Sequence, residues 1–366
     1  MKTNAIVYSE NEFGKIDGKV ANGLVRHSEK YNIVGVIDST KAGFDAGELL
    51  DGEKNGIPVF ATNIDAIETL GDVPAYFIYG IAPLASFLDK EQRDIVFSAM
   101  KMGMNIVNGL PEFFTDDREF MRVAKENNVQ IYDIRKPPER KNLHNFSGRI
   151  ADIKTPVITV FGTDCAVGKR TTSVKLVEAL KQEGLKAVFI ATGQTGILQG
   201  SKYGIALDVL SSGFATGEVE HAIITAHEQE NPDIIVVEGQ GALSHPAFTS
   251  SSAILKGAMP NAVIIQDPPK RKNHCDYPEI PMPPLDSEIN LIEAFSETEV
   301  IAITINHEGM TDDDIENTIV EYENIYKLPT TDVLKHGCGK LIERLFEQFP
   351  ELQELANEYR ICQLQE

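Results

Sequence analysis

Residues 157–176, VITVFGTDCAVGKRTTSVKL, constrain the fold more than any other stretch of this 366-residue chain. A β-branched apolar run (157–160) meets a glycine-bearing loop (161–168), Lys169 follows, and Arg170, Thr171 and Thr172 open a helical pattern. Strand, Gly-rich loop, lysine, hydroxyl and helix in that order are the layout of a phosphate cradle. Loop N–H groups and the helix N-terminus converge on one spot and favour an anion there. Gly162, Thr163, Ala166, Val167, Gly168, Lys169, Arg170, Thr171 and Thr172 are the residues expected to hold it, with Lys169 as a point charge. A phosphorylated nucleotide or a nucleotide-containing cofactor is the expected ligand. The plainer alternative is a strand–helix connection that binds nothing.

The match to G-x-x-x-x-G-K-[ST] is imperfect. Gly162 stands one residue further out than that spacing, and Arg170 takes the place of the hydroxyl after the lysine. The GTDxxVGK form resembles the loop of dethiobiotin synthetase, an ATP-using P-loop enzyme. In such enzymes the hydroxyl after the lysine holds Mg²⁺, so Arg170 weighs against Mg-ATP.

The formal net charge is −21, from 34 basic and 55 acidic residues. A nucleic-acid surface needs a basic footprint, so none is expected, and an anionic ligand must be held by a local positive site. Cys165, Cys275, Cys338 and Cys362 are scattered without a CxxC pair. That spacing gives neither a zinc site nor a disulfide framework, and no metal is expected. The N-terminus runs into an apolar strand without a signal-peptide core, and no apolar stretch is long enough to span a membrane. A cytoplasmic protein without a membrane partner is expected, and a homo-oligomer, since such α/β folds commonly assemble.

Apolar runs then alternate with helical spacing. Strands are expected at 4–8, 32–38, 57–60, 75–79, 105–108 and 130–133, and helices at 16–27, 64–70, 89–102 and 113–127. That β-α-β rhythm specifies a parallel sheet with helices on both faces, a Rossmann-like N-terminal domain over 1–140. The loop after its first strand reads SENEFGKIDGK and lacks G-x-G-x-x-G, so the signature of a dinucleotide site is missing. Loops at 39–45 and 80–83 remain candidates for a pocket, because open α/β sheets bind ligands at the carboxyl ends of strands. A polar, Pro-bearing linker over 141–156 leads to the second domain, 157–366, a P-loop NTPase-like α/β unit. Its further strands are expected at 187–191, 234–237, 262–266 and 300–306, with a helical tail at 338–359.

The strand ends of this second domain carry polar residues. Glu238 stops the apolar run of DIIVVEGQGALSHP, the position of a Mg²⁺-holding acid in P-loop enzymes. It also suits a proton acceptor from an amine, or a plain solvated carboxylate. His245 suits a general base or a substrate contact, and equally a structural histidine bonded to a loop carbonyl. Asp164, inside the phosphate loop, needs a metal, a lysine or a substrate amine to face, or else serves the turn itself. With Lys169, these three are the candidate catalytic residues. Thr192, Gln194 and Thr195 in ATGQTG are candidate substrate contacts on a second binding loop, or a flexible turn. Lys270 and Arg271 in DPPKRK are candidates to clamp a phosphate or carboxylate, or a solvated charge run. Asp208 and Glu220 are weaker candidates that also suit caps or surface charges.

In their order along the chain, these segments resemble the D-glutamate N-acetyltransferase family, long known only as a domain of unknown function. The resemblance rests on GVIDSTKAGFDAGELLDG, YGIAP, IVNGLPEFFTDD and DIRKPP in the N-terminal half. In the C-terminal half it rests on GTDCAVGKRTT, ATGQTGI, ALDVL, VEGQGALSHPA and VIIQDPPKR. That family commonly has a residue such as Met where this chain has Arg170. The resemblance implies transfer of an acetyl group from acetyl-CoA to the amine of D-glutamate in D-amino-acid catabolism. A racemase or epimerase would then act on the N-acetylated product. A P-loop can hold the phosphates of CoA without cleaving them, and no Mg²⁺ on a β,γ-phosphate pair is then required. Acyl transfer needs a base for the amine and donors for the oxyanion. Asp164, Glu238 and His245 are the base candidates, the N–H groups of 162–168 or Lys169 the donors, and Lys270 or Arg271 the grip on a substrate carboxylate. Two other readings remain. One is a Mg-ATP-dependent kinase or ligase similar to dethiobiotin synthetase, with Asp164 and Glu238 on the metal. The other is a nucleotide sensor without catalysis.

Overall fold

The computed structural model describes residues 2–82 and 87–363. The chain divides into two compact units, Met1–Pro138 with Gln194–Ser201, and Glu139–Gly193 with Lys202–Glu366. The linker read at 141–156 therefore belongs to the second unit, and a short piece of the second domain belongs to the first.

In the first unit, β1 (Thr3–Tyr8), β2 (Tyr31–Ile37), β3 (Val59–Phe60), β4 (Tyr76–Tyr79), β5 (Asn105–Asn108) and β6 (Ile131–Asp133) form one parallel sheet in the order β3-β2-β1-β4-β5-β6. Side chains alternate between two core layers: Ile6 and Tyr8 face one, Ala5 and Val7 the other. The polar stretch after β2 holds a short helix, Ala46–Asp51, because the Asp45 carboxylate accepts from the N–H groups of Gly47 and Glu48. The expected helix at 113–127 starts late, at Arg118–Glu126, because Asp117 caps it from an extended backbone. The helix Gln194–Gln199 packs in this unit: Gln199 Nε2 donates to the carbonyls of Gly23 and His27 at 2.7 and 2.9 Å.

This strand order is that of dinucleotide-binding sheets, whose ribose-binding acid stands at the end of the second strand. Asp38 occupies that position but is spent on the loops after β1 and β2. Its carboxylate accepts from the Phe13 and Thr40 N–H groups and the Thr40 hydroxyl. Of the two loops read as pocket candidates, the one at 80–83 lies partly outside the described residues, at Pro83.

The second unit is built on β7 (Val157–Gly162), β8 (Ala187–Ala191), β9 (Tyr203–Gly204), β10 (Ile234–Glu238), β11 (Ala262–Asp267), a hairpin of β12 (Asn273–His274) and β13 (Tyr277–Pro281), then β14 (Val300–Ile305) and β15 (Thr330–Thr331). Seven of these form a parallel sheet in the order β15-β14-β11-β7-β10-β8-β9. Strands covered on both faces read as continuous apolar runs. Val157, Phe161, Ile235 and Val237 fill one core layer, and Ile158, Val160, Ile234 and Val236 the other. The order reverses at β7, with β8, β9 and β10 on one side and β11, β14 and β15 on the other, so the crevice at its carboxyl end is where ligands bind in such sheets. Among the described residues no helix is long and apolar enough to cross a membrane.

Gly239 follows β10 and presses on β7. A Cβ there would lie 2.3 Å from the Val160 carbonyl oxygen. Gly239→Ala is expected to destabilise the protein by ~1–3 kcal/mol, because two central strands must shift. A lower midpoint in urea unfolding would register it, and an unchanged midpoint would refute the close packing.

Candidate functional site

Loops at the carboxyl ends of β7, β8, β10 and β11 build a polar site inside the second unit. β7 leads into the phosphate loop, and the helix Lys169–Gln182 leaves it. A Cβ on Gly162 would meet Val167 Cγ2 at 2.8 Å and the Gln266 carbonyl at 2.9 Å. Ala166 and Gly168 are left-handed, with φ of 51° and 108°. The loop is pinned from outside. Thr163 N–H donates to the Gln266 carbonyl at 3.1 Å, Thr163 Oγ1 to Asp267 at 2.8 Å, and Asn306 Nδ2 to the Val167 carbonyl at 2.9 Å. Lys169 Nζ donates to the Asp164 carbonyl at 2.5 Å. Burial pushes its pKa down, against Cys165, Asp164 and Glu238, which push it up. Thr172 donates to Gln266 Oε1 at 2.6 Å, and Ser173 to the Lys169 carbonyl at 2.9 Å.

Asp164 is the charge centre of the site, and its side chain has no exposed surface. Oδ2 accepts from Arg271 Nη1 at 2.9 Å and from the Cys275 N–H at 2.8 Å. Oδ1 lies 2.8 Å from His274 Nδ1 and 3.5 Å from His245 Nε2. Burial alone would raise the carboxyl pKa, but His274, the Cys275 N–H and Arg271 outweigh it and hold it low. Asp164 is therefore an ionised anchor. Arg271, read from sequence as a ligand clamp, is a strut. Nε and Nη2 each reach Glu308 at 2.7 Å, and Nη1 also reaches the Cys165 carbonyl at 2.7 Å. Lys270 sits on the surface, 3.3 Å from Asp314.

Glu238 Oε2 accepts from the Thr192 N–H at 3.1 Å, and Thr192 Oγ1 donates to the Glu238 carbonyl at 2.9 Å. Burial raises the Glu238 pKa further than Arg170 and the N–H groups of Thr192 and Gly193 lower it. Thr192 thus stands in the site, and Gln194 and Thr195 follow it in the chain. They open the helix that belongs to the first unit, because their motif continues into residues that pack there. Asp208 is exposed on the turn Leu207–Val209. Glu220 accepts from the Ser147 and Ile150 N–H groups and ties down the chain before β7.

His245 is buried against Phe248, ring centroids 4.7 Å apart, and meets His274 edge-on at 4.6 Å. Its Nδ1 accepts from the Ala247 N–H at 3.2 Å. Burial, and then His274, lower its pKa, so the ring is neutral at ordinary pH. The sequence reading missed His274, Cys275 and Asp276, which the hairpin β12–β13 delivers to Asp164 and Cys165. Burial pushes both thiols up to about 12, so they remain protonated at neutral pH.

A Rossmann-like sheet followed by a P-loop unit, with a buried Asp–His–Arg cluster at the phosphate loop, defines a two-part P-loop protein. The chain belongs to the DUF1611 family: the P-loop domain of unknown function DUF1611_C matches residues 144–342, and the Rossmann-like domain DUF1611_N residues 39–137. A protein of Pseudoalteromonas sp. named D-glutamate N-acetyltransferase is 31% identical over 275 residues, 74% of this chain and 80% of that protein. One of Tritonibacter scottomollicae with the same name is 26% identical over 274 residues, 73% of this chain and 80% of that protein. The crystal structure of a DUF1611 family protein from Anabaena variabilis is 28% identical and superimposes with a TM-score of 0.86, covering 94% of this chain and 100% of that one.

Asp164→Asn removes the fully buried one of the two carboxylates that face Arg271, leaving Glu308, and is expected to cost about 1–3 kcal/mol. The Asp164 pKa is held below its ordinary value. Its contribution to stability is therefore present above the unfolded-state pKa and is lost as pH falls through the folded-state pKa. Urea midpoints measured across the acid range should fall more steeply for wild type than for the variant. Parallel curves would refute the assignment.

Proposed function

We propose that this protein moves the acetyl group of acetyl-CoA to the amine of D-glutamate. The observation that carries the reading is the match, across both units, to the Pseudoalteromonas protein of that name. The phosphate loop supports it independently. Loop N–H groups and Lys169 suit the pyrophosphate of CoA. The hydroxyls suited to Mg²⁺ are displaced by Arg170 and, at Thr172, committed to Gln266. Glu238, its pKa raised by burial, already accepts from the Thr192 N–H, which commits one of its oxygens to the protein. In this reading the protein serves D-amino-acid catabolism in the cytoplasm as a homo-oligomer, and a racemase or epimerase receives its product.

The test is thiol release from acetyl-CoA with a panel of D- and L-amino acids, without ATP. D-glutamate is expected to give release that chelators leave unchanged. Lys169→Ala should lower kcat/KM for acetyl-CoA about tenfold or more, the worth of one hydrogen bond to a charged group. ADP formation on adding Mg-ATP, with no thiol release from any amine, would move the protein to the ATP-dependent class.

A further inference from the structure

His274 and His245 face one carboxylate oxygen with opposite proton arrangements. His274 Nδ1 lies 2.8 Å from Asp164 Oδ1. An ionised carboxylate only accepts, so Nδ1 carries the proton, which leaves Nε2 as the ring atom able to take one up. His245 is the reverse. Its Nδ1 faces the Ala247 N–H and must accept, which puts the proton on Nε2. Among the described residues that Nε2 is buried without a hydrogen-bond partner, 3.5 Å from Asp164 Oδ1. A buried donor without an acceptor is costly, and a ligand oxygen would relieve the cost. The charged groups facing the pair are Asp164, Asp276, Lys169 and Arg271, with the thiols of Cys165 and Cys275 beside them.

The geometry points to a division of labour: His274, positioned by Asp164, takes the proton from the substrate amine at Nε2, while His245 donates its Nε2–H to the acetyl carbonyl oxygen as it becomes an oxyanion. This rests on the acetyl-transfer reading. An ammonium substrate first releases one proton to solvent. The amine lone pair then forms the C–N bond, and the carbonyl π pair moves onto the oxygen held by His245. The nitrogen passes a second proton to His274, whose imidazolium is stabilised by the Asp164 charge. Collapse of the adduct breaks the C–S bond, and His274 gives its proton to the departing thiolate. The products are the N-acetylated amino acid and free CoA thiol. His245, read from sequence as a base, is here the donor.

Full-length protein labelled with ¹⁵N-histidine tests the proton arrangement directly. Long-range ¹H–¹⁵N correlations, assigned with His245→Gln and His274→Gln, should show the proton on Nδ1 of His274 and on Nε2 of His245. The same tautomer on both rings, or the reverse pair, overturns the inference whether or not the protein turns over. Kinetics test the roles. Glutamine supplies an N–H donor but no base. His245→Gln should therefore retain more activity than His245→Ala, which should lose ~10²–10³-fold in kcat. His274→Gln and His274→Ala should both lose ~10²–10⁴-fold in kcat. Equal losses in the two glutamine variants overturn the division. Absence of thiol release by wild type with every amine sinks the acetyl-transfer reading, while the tautomers still decide the proton arrangement.

Discussion

The buried pair of Asp164 and Arg271 holds the site together. Through it, one guanidinium ties the loop after β7, the segment leading into the hairpin β12–β13, and the loop after β14 that carries Glu308. A buried ion pair seldom adds net stability over an apolar replacement, yet losing one partner strands the other. The pair therefore fixes geometry more than it stabilises the fold. With Asp164 fixed, its two oxygens divide the site: Oδ2 faces the strut and a backbone N–H, and Oδ1 faces the histidines.

The same pair shapes the electrostatics. In a chain of net charge −21, an anion finds a favourable field only where local cations exceed local acids. Arg271 is matched by Asp164 and Glu308. At the phosphate loop, Lys169 and the N–H groups at the start of the helix Lys169–Gln182 face the position an anion would take.

Both sheets were legible in the sequence because strands covered on two faces read as near-continuous apolar runs, as 234–237 and, apart from the buried Thr159, 157–161 do. The phosphate loop was legible because its glycines, lysine and helix start are consecutive. His274 was not. It meets Asp164 across 110 residues, and the polar hairpin that carries it shows no periodicity. The role of Arg271 as a strut was hidden for the same reason: a local basic run says nothing of Glu308, 37 residues further on. ATGQTG looked like one loop, but its second half is helical and its packing partners lie far back in the chain, Gly23 being 176 residues from Gln199.

That last separation bears on synthesis. The chain passes Pro138, builds β7 and β8, and only then supplies Gln194–Ser201 to the unit it began with. Carbonyls at the end of the helix Lys19–Arg26 wait for Gln199, and the Glu29 N–H waits for the Gln199 carbonyl. At ~5–20 residues per second, that wait lasts seconds on the ribosome. During it, the nascent Rossmann-like unit stands unfinished while the phosphate loop is already made. A fragment ending at Pro138 lacks Gln194–Ser201 and would remain in that unfinished state, so the first unit is no transferable cassette.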